Sequence, residues 1–428
     1  MTIKLDKSFA AFEDAKNYHP GGVLAIRRPY NYVENEYPIF FESGTGGKVT
    51  DIDGNEYIDM LCSYGPIIIG HREKEIDDSV INQIRSKGFN FSLTQPIHNT
   101  LAKKITELIP CAEQTIFVKT GSDATSAAIR AARAYTGKNK ILRCGYHGWH
   151  DWCSEVKGGI PKSVYSDVLD FNYNDYNSLK EIIENNENEI AAVILWPIHT
   201  PLGNKVEMPN DNFLEKVRDI TSKKNIVLIF DECTSGFRET FGGLHKKYGV
   251  EPDMTMFGKA LGNGYGITAT IGKRELMEAA QTTFISSTFW TERIGPTAAL
   301  KTLEVMGRIK SWETITKTGL NIRQGWQKLA DKHGLKINHW GLAALTGFTF
   351  QSKNALAYKT LITQEMLAKG YLAGSSVYVC IDHTPEVVAG FFEALDSIFA
   401  LVKQCEEGRD VMSLLKGPVC HAGFKRLN

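Results

Sequence analysis

This sequence has no excess of charge of either sign, no long apolar run and no paired cysteines. Lys and Arg number 49 and Asp and Glu number 49, so the formal net charge of the 428-residue chain is zero. Proteins that neutralise a phosphate backbone generally carry a basic excess, and without one no nucleic-acid partner is expected. No stretch approaches the roughly 18 apolar residues that cross a bilayer. The longest runs, such as 191–197, have the length of a strand, so no membrane partner is expected. The opening segment, MTIKLDKSFAAFEDAKN, carries Asp and Glu and lacks an apolar stretch, so no secretion signal is expected. The 8 Cys are scattered singly from Cys62 to Cys420, without a CxxC pair or metal-ligand spacing. Scattered thiols of this kind predict a reduced, cytoplasmic protein with no bound metal. No internal repeat or Pro/Ser-rich linker is visible, so any domains are interleaved or tightly joined.

What is present is ordinary for a globular chain: 43% apolar and 23% charged residues. The length allows roughly two to three domains at about 150 residues each. Residues 47–60, GKVTDIDGNEYIDM, read as two strands around the turn pair Asp53-Gly54. Short apolar strands then alternate with helices. Strands are predicted at 115–119, 140–143, 191–196 and 226–230, and helices at 122–136, stopped by Gly137, and 212–223. Apolar strands separated by helices imply a mostly parallel sheet covered on both faces. After about residue 300, helical patterns at 296–333, 356–369 and 385–405 flank weaker strands at 346–350 and 376–381. The expected division is an α/β large domain over 71–304 and a smaller α+β domain from 1–70 and 305–428.

Four features carry chemistry. The strand at 226–230 ends in Asp231-Glu232, where a parallel sheet places its ligand groups. An acid there is either functional or a bridge that holds a loop. An apolar stretch, MetThrMetPhe, delivers Lys259 into a glycine-rich turn, where desolvation would make its amine nucleophilic. ThrGlySerAsp at 120–123 stands between a strand and an Ala-rich helix, a position suited to a phosphate or to ordinary capping by Ser122 or Asp123. TyrHisGly at 146–148 follows another strand and offers an aromatic cover for a flat ligand. A lysine, a carboxylate, a phosphate cradle and an aromatic together meet the needs of pyridoxal 5′-phosphate (PLP).

The chain resembles the class III, fold-type I PLP-dependent aminotransferases, and within them is most similar to glutamate-1-semialdehyde 2,1-aminomutase. The resemblance runs from about residue 8 to about 400. It rests on ProGlyGlyVal at 20–23, AspIleAspGlyAsnGluTyrIleAsp at 51–59, SerTyrGlyProIleIleIleGlyHis at 63–71, ThrGlySerAspAlaThr at 120–125, TyrHisGly at 146–148, PheAspGluCysThrSerGlyPheArg at 230–238 and ProAspMetThrMetPheGlyLys at 252–259. It implies that Lys259 holds the cofactor as a Schiff base and shuttles protons, and that Asp231 pairs with the pyridine nitrogen. It implies that Gly121 and Ser122 hold the phosphate, that Tyr146 and Cys233 flank the ring, and that Thr288 reaches the phosphate of a neighbouring subunit in a homodimer. His147 is expected to hydrogen-bond beside the cofactor.

The substrate side departs from the family. Arg28 matches the aminomutase's carboxylate-binding arginine, but Ala25 replaces its serine, with Arg27 adjacent. Tyr64 replaces a tryptophan, and Trp196-Pro197 and His199 stand where Glu-Pro and a Gly/Asn loop are usual. Trp290 and Glu292 enter a segment that is usually small and polar, and the stretch after Lys157 is shorter than the aminomutase gating loop. The substrate-side set is therefore Arg28, Tyr64, Trp196, His199, Trp290 and Glu292. The expectation is an aminotransferase that takes an amino group from an amino acid, glutamate, to an aldehyde or ketone, such as a sugar or polyol derivative. The alternatives are the aminomutase itself and a non-catalytic binding protein that keeps the PLP fold.

Overall fold

Strands that are apolar from end to end need cover on both faces, and the sheet of the larger unit, Lys74–Glu313, has it. The structure, a computed structural model, describes residues 3–24, 27–34, 36–37, 39–198, 207–210 and 212–422. The larger unit holds β1 (Gln114–Val118), β2 (Lys140–Cys144), β3 (Val168–Asp170), β4 (Ile190–Leu195), β5 (Val227–Asp231), β6 (Met254–Phe257) and β7 (Thr268–Gly272). Their order across the sheet is β1-β7-β6-β5-β4-β2-β3. The sheet is parallel except for β7, which runs antiparallel to β1 and to β6.

Every residue of β4 and β5 is buried. The two-residue strand period sends alternate side chains to opposite faces. Val227 and Ile229 pack with Ile194 and with the alanines of helix α1 (Gly121–Thr136). Leu228 and Phe230 pack instead with Phe213, Leu214 and Val217 of the helix Phe213–Lys223. Each large apolar side chain fully buried here contributes about 1.5–3 kcal/mol. The same alternation aims Asp231 at the α1 face and Glu232 at the opposite one. Helix α1 starts with Thr120, not Ser122, as its cap. The Asp123 N–H donates to Thr120 Oγ1 at 3.3 Å and the Thr120 N–H donates to Asp123 Oδ2 at 2.9 Å. Gly137 closes the helix at φ +67°. The long helical pattern at 296–333 divides at Lys310, φ +49°, into Ile294–Ile309 and Ser311–Lys332.

The smaller unit joins Met1–Glu73 to Thr314–Asn428. Its hairpin pairs Lys48–Asp51 with Glu56–Asp59 around Gly54, φ +89°. Phe41–Thr45 extends one side of the hairpin and Tyr371–Leu372 lies parallel on the other. A second, antiparallel sheet holds Ile337–Trp340, Leu345–Phe350 and Ser376–Tyr378. Phe348 and Phe350 of that sheet meet Phe399 of the helix Pro385–Glu406. Among the described residues, no helix is long and apolar enough to cross a membrane.

Candidate active site

Asp231, the last residue of β5, is 5% exposed, and a buried carboxylate needs partners. It has three. His147 Nδ1 lies 2.9 Å from Oδ2, the Trp196 indole N–H donates to Oδ2 at 3.1 Å, and the Cys233 N–H donates to Oδ1 at 3.1 Å. Burial by itself would raise the carboxyl pKa. The hydrogen bond and charge of His147, with the Cys233 N–H, outweigh it and hold Asp231 below its ordinary value. His147 Nε2 lies 3.1 Å from the Cys144 carbonyl oxygen. The Trp196 indole N–H also approaches His147 Nδ1, at 3.2 Å, so the acid, the imidazole and the indole form one cluster.

The loop carrying His147 is fastened to the start of α1. Thr125 Oγ1 donates to the His147 carbonyl at 2.7 Å, and the Trp149 N–H donates to Ser122 Oγ at 3.1 Å. Gly148 makes this approach possible. Its φ is +120°, and a Cβ there would lie 2.5 Å from Ser122 Oγ. Because Thr120 does the capping, the buried Ser122 is left at the first turn of α1, where N–H groups and the helix dipole favour an anion. Tyr146, in the same loop, is half-buried. Burial raises its hydroxyl pKa, with Cys153 and Asp231 adding to the effect.

Lys259 follows β6 with a strained left-handed backbone, φ +42°. Its ammonium donates to Thr234 Oγ1 at 2.6 Å. The side chain is open to solvent along one side yet closely surrounded by protein. That crowding is the main cause lowering its pKa; nearby Arg238 also lowers it, while Cys233 and Asp231 oppose the shift. Cys233 links the parts of the site. A Cβ on Gly121 would lie 3.5 Å from its sulfur and a Cβ on Gly258 3.7 Å from it. Burial pushes the Cys233 thiol pKa far up, so it stays a neutral, apolar surface. An ionised acid, an amine of lowered pKa, a helix N-terminus and a flat apolar patch are thus gathered at one edge of one sheet.

The family profile described as aminotransferase class-III matches residues 30–383. The chain belongs to the class III aminotransferases. It is 49% identical over 411 residues to 3-aminobutyryl-CoA aminotransferase of Cloacimonas acidaminovorans, covering 94% of this chain and 99% of that protein. It is 33% identical over 430 residues to glutamate-1-semialdehyde 2,1-aminomutase of Methanocaldococcus jannaschii, covering 93% and 99%. Its fold matches the PLP internal aldimine form of the FumI protein of Sphingopyxis sp. MTA144 with a TM-score of 0.90 at 28% identity, covering 96% of this chain and all of that one. The fold is therefore that of the fold-type I aminotransferases, and the cofactor of the family is PLP. The gathered residues fit it: an amine to hold it covalently, an acid for its ring nitrogen and a helix start for its phosphate.

The substrate-side residues are dispersed. Trp196 belongs to the Asp231 network just described. Trp290 packs partly buried against the α1 side of the core. Glu292 is engaged in structure: Oε2 accepts from the Ile294 N–H at 2.6 Å and Oε1 from the Gly295 N–H at 2.9 Å, and the Lys119 ammonium pairs with Oε1. It caps the helix Ile294–Ile309. Thr288 is exposed. Ala25 and His199 lie outside the described residues. Arg28 and Tyr64 belong to the smaller unit, where with Arg27, Tyr32 and His71 they line a cavity of about 420 Å³. Arg28 donates from Nη1 to the Pro20 carbonyl at 2.9 Å. Burial raises the Tyr64 hydroxyl pKa, against an opposing effect of Arg27.

Two participants escape a reading of the sequence: Thr234, which holds the Lys259 amine, and Arg238 beside it. The Glu232 carboxylate is fully buried and accepts from Ser235 Oγ at 3.0 Å, the His245 N–H at 3.2 Å and the Leu244 N–H at 2.5 Å. Of the two adjacent acids, one serves the site and the other bridges the loop that follows.

Proposed function

We propose that this enzyme transfers an amino group between a 3-aminoacyl-CoA thioester and a 2-oxo acid, with glutamate as the other amine of the pair. Run in reverse, glutamate is the donor and the ketone of a 3-oxoacyl-CoA the acceptor. The observation that carries the reading is the 49% identity, over 99% of its length, to a protein named for 3-aminobutyryl-CoA. The smaller-unit cavity supports it: Arg27 and Arg28 offer guanidinium groups for an anion, and Tyr32, Ile39 and Phe41 an apolar wall for an acyl chain. A sugar or polyol acceptor has less behind it, because Glu292 and Trp196 are taken up by capping and by Asp231.

PLP bound at the sheet edge supplies an electron sink for the carbanion formed beside the transferred nitrogen. Lys259 is the residue that holds it and, with its pKa lowered, takes and returns the substrate proton at Nζ. Asp231, kept ionised by its partners, holds a positive charge at the ring nitrogen. The first turn of α1, at Gly121 and Ser122, binds the phosphate, while Tyr146 and Cys233 confine the ring. Thr234 orients the Lys259 amine. We also place the enzyme in the cytoplasm as a homodimer, with Thr288 reaching the partner's phosphate site. The 8 cysteines, none in a disulfide among the described residues, suit a reducing compartment, and Phe284 and Phe289, 85% and 61% exposed, suit a covered surface.

The test is an amino-group assay on the PLP-loaded protein with 3-aminobutyryl-CoA and 2-oxoglutarate, following glutamate. Parallel arms take glutamate with keto sugars, and glutamate-1-semialdehyde alone. Glutamate formation in the first arm supports the reading. Turnover confined to either of the others overturns it.

A further inference from the structure

The sequence shows no metal-ligand spacing, but the fold of the smaller unit creates a ligand set. The Cys62 and Cys380 sulfurs and a ring nitrogen of His383 lie within 4.8 Å of one another. Each of the three residues is only 1% exposed, and none takes part in the amino-transfer site described above. We propose that Cys62, Cys380 and His383 form a zinc site.

The ring of His383 is already oriented as a zinc ligand requires. Its Nε2 lies 3.0 Å from the Asp59 carbonyl oxygen, which only accepts, so the hydrogen is on Nε2. Nδ1 is left with its lone pair, the arrangement in which a carbonyl behind a histidine sets the ligating tautomer. Nδ1 accepts from the Cys380 N–H at 3.3 Å, a long contact, and the ring also meets the Cys380 thiol; a metal held between sulfur and nitrogen would replace both contacts.

Asp59 also positions the first thiol. Its Oδ1 accepts from the N–H groups of Leu61 and Cys62, both at 2.9 Å, and its Oδ2 lies 2.9 Å from His71 Nε2. One residue therefore anchors Cys62 through its carboxylate and His383 through its carbonyl.

The backbone is strained at the same point. Cys62, Ser63 and Tyr64 hold left-handed φ values of +45°, +54° and +62°. Three successive non-glycine residues persist in that region only where their surroundings over-determine them. A metal bond from Cys62 to the 380–383 turn would fix this segment, whose Ser63 and Tyr64 line the 420 Å³ cavity.

Charge favours a divalent ion. On binding, the two thiols release their protons to solvent, and two thiolates, a neutral imidazole and Zn²⁺ together carry no net charge, as burial demands. Two sulfurs and one nitrogen are a donor set for zinc, not for magnesium or calcium, and leave a fourth tetrahedral position for water.

The test uses full-length, PLP-loaded, untagged protein equilibrated with Zn²⁺ and freed of excess metal. Elemental analysis should find one zinc per chain, and none in the Cys62→Ala/Cys380→Ala variant. Co²⁺ added to the zinc-free wild type should give a sulfur-to-metal charge-transfer band in the near ultraviolet. This spectrum decides the matter even if the variant does not fold. Equal zinc in wild type and folded variant, the absence of the cobalt band, or a Cys62–Cys380 disulfide without metal in the isolated protein overturns the proposal.

Discussion

The sheet edge of the larger unit and the cavity of the smaller one hold their polar groups in different ways. At the sheet edge, Asp231 is held by His147, Trp196 and the Cys233 backbone, and the loop bearing His147 is itself fastened by Thr125 and Ser122. Each side chain there projects from a strand end or from a loop secured to a helix. In the cavity, Arg28 precedes the short 3-10 turn Pro29–Asn31 and Tyr64 ends the turn Cys62–Tyr64, and the Arg28 guanidinium donates to the Pro20 carbonyl. A preorganised network suits chemistry that is the same in every turnover. Looser side chains suit recognition, which varies among relatives that share the chemistry.

If that contrast is right, substitutions at the sheet edge lower kcat, while substitutions in the cavity alter KM. The largest effect is expected for Lys259→Ala. It should remove the visible absorbance of the bound cofactor and lower kcat by about 10⁴-fold or more. Next is Asp231→Asn, which removes the charge but keeps the shape and should lower kcat by about 10²–10³-fold in steady-state assays.

The pH dependence follows from the same acid. Its pKa is depressed, so its contribution to stability is present above the ordinary carboxylate value of about 3.9 and is lost as pH falls through its lower folded value. Replacing His147 by Asn removes the main partner that lowers this pKa. The acid limb of the kcat profile should then move to higher pH; an unchanged limb would show that His147 does not control Asp231.

Trp196→Phe deletes one donor to an ionised oxygen, worth about 1.5–3 kcal/mol at most. It should lower kcat by about tenfold and shift the same acid limb upward, with KM for the acyl-CoA little changed. A rise in KM alone would return Trp196 to the substrate side. The smallest effect is expected for Arg28→Ala: an increase in KM for 3-aminobutyryl-CoA of up to about tenfold, as for the loss of one charged contact of about 1.4 kcal/mol, with kcat nearly constant. A fall in kcat instead would break the contrast between the two regions.

What could be read from the sequence were features carried by neighbouring residues. The apolar run at 226–230 and the acids that follow it are contiguous, so both the buried strand and its charged end were visible. So were the Ala-rich helix with its Gly137 stop and the hairpin at Asp53-Gly54. The two acids could not be assigned until strand alternation had a known start, which only the neighbours of β5 supply. Trp196 read as a substrate residue because its bond to Asp231 joins the ends of two strands 35 positions apart. Glu292 is different: an acid just before a helical pattern is a capping signal in its own right. The Cys62, Cys380 and His383 cluster left no trace in spacing, because the His383 contact with Asp59 spans 324 residues.

The account depends most on Lys259 as the point of covalent attachment. Borohydride reduction of the PLP-loaded protein, followed by peptide mass mapping, tests this directly. The account predicts a single phosphopyridoxyl label, on the peptide containing Lys259. A label on another lysine, or none on protein that has taken up the cofactor, would contradict it.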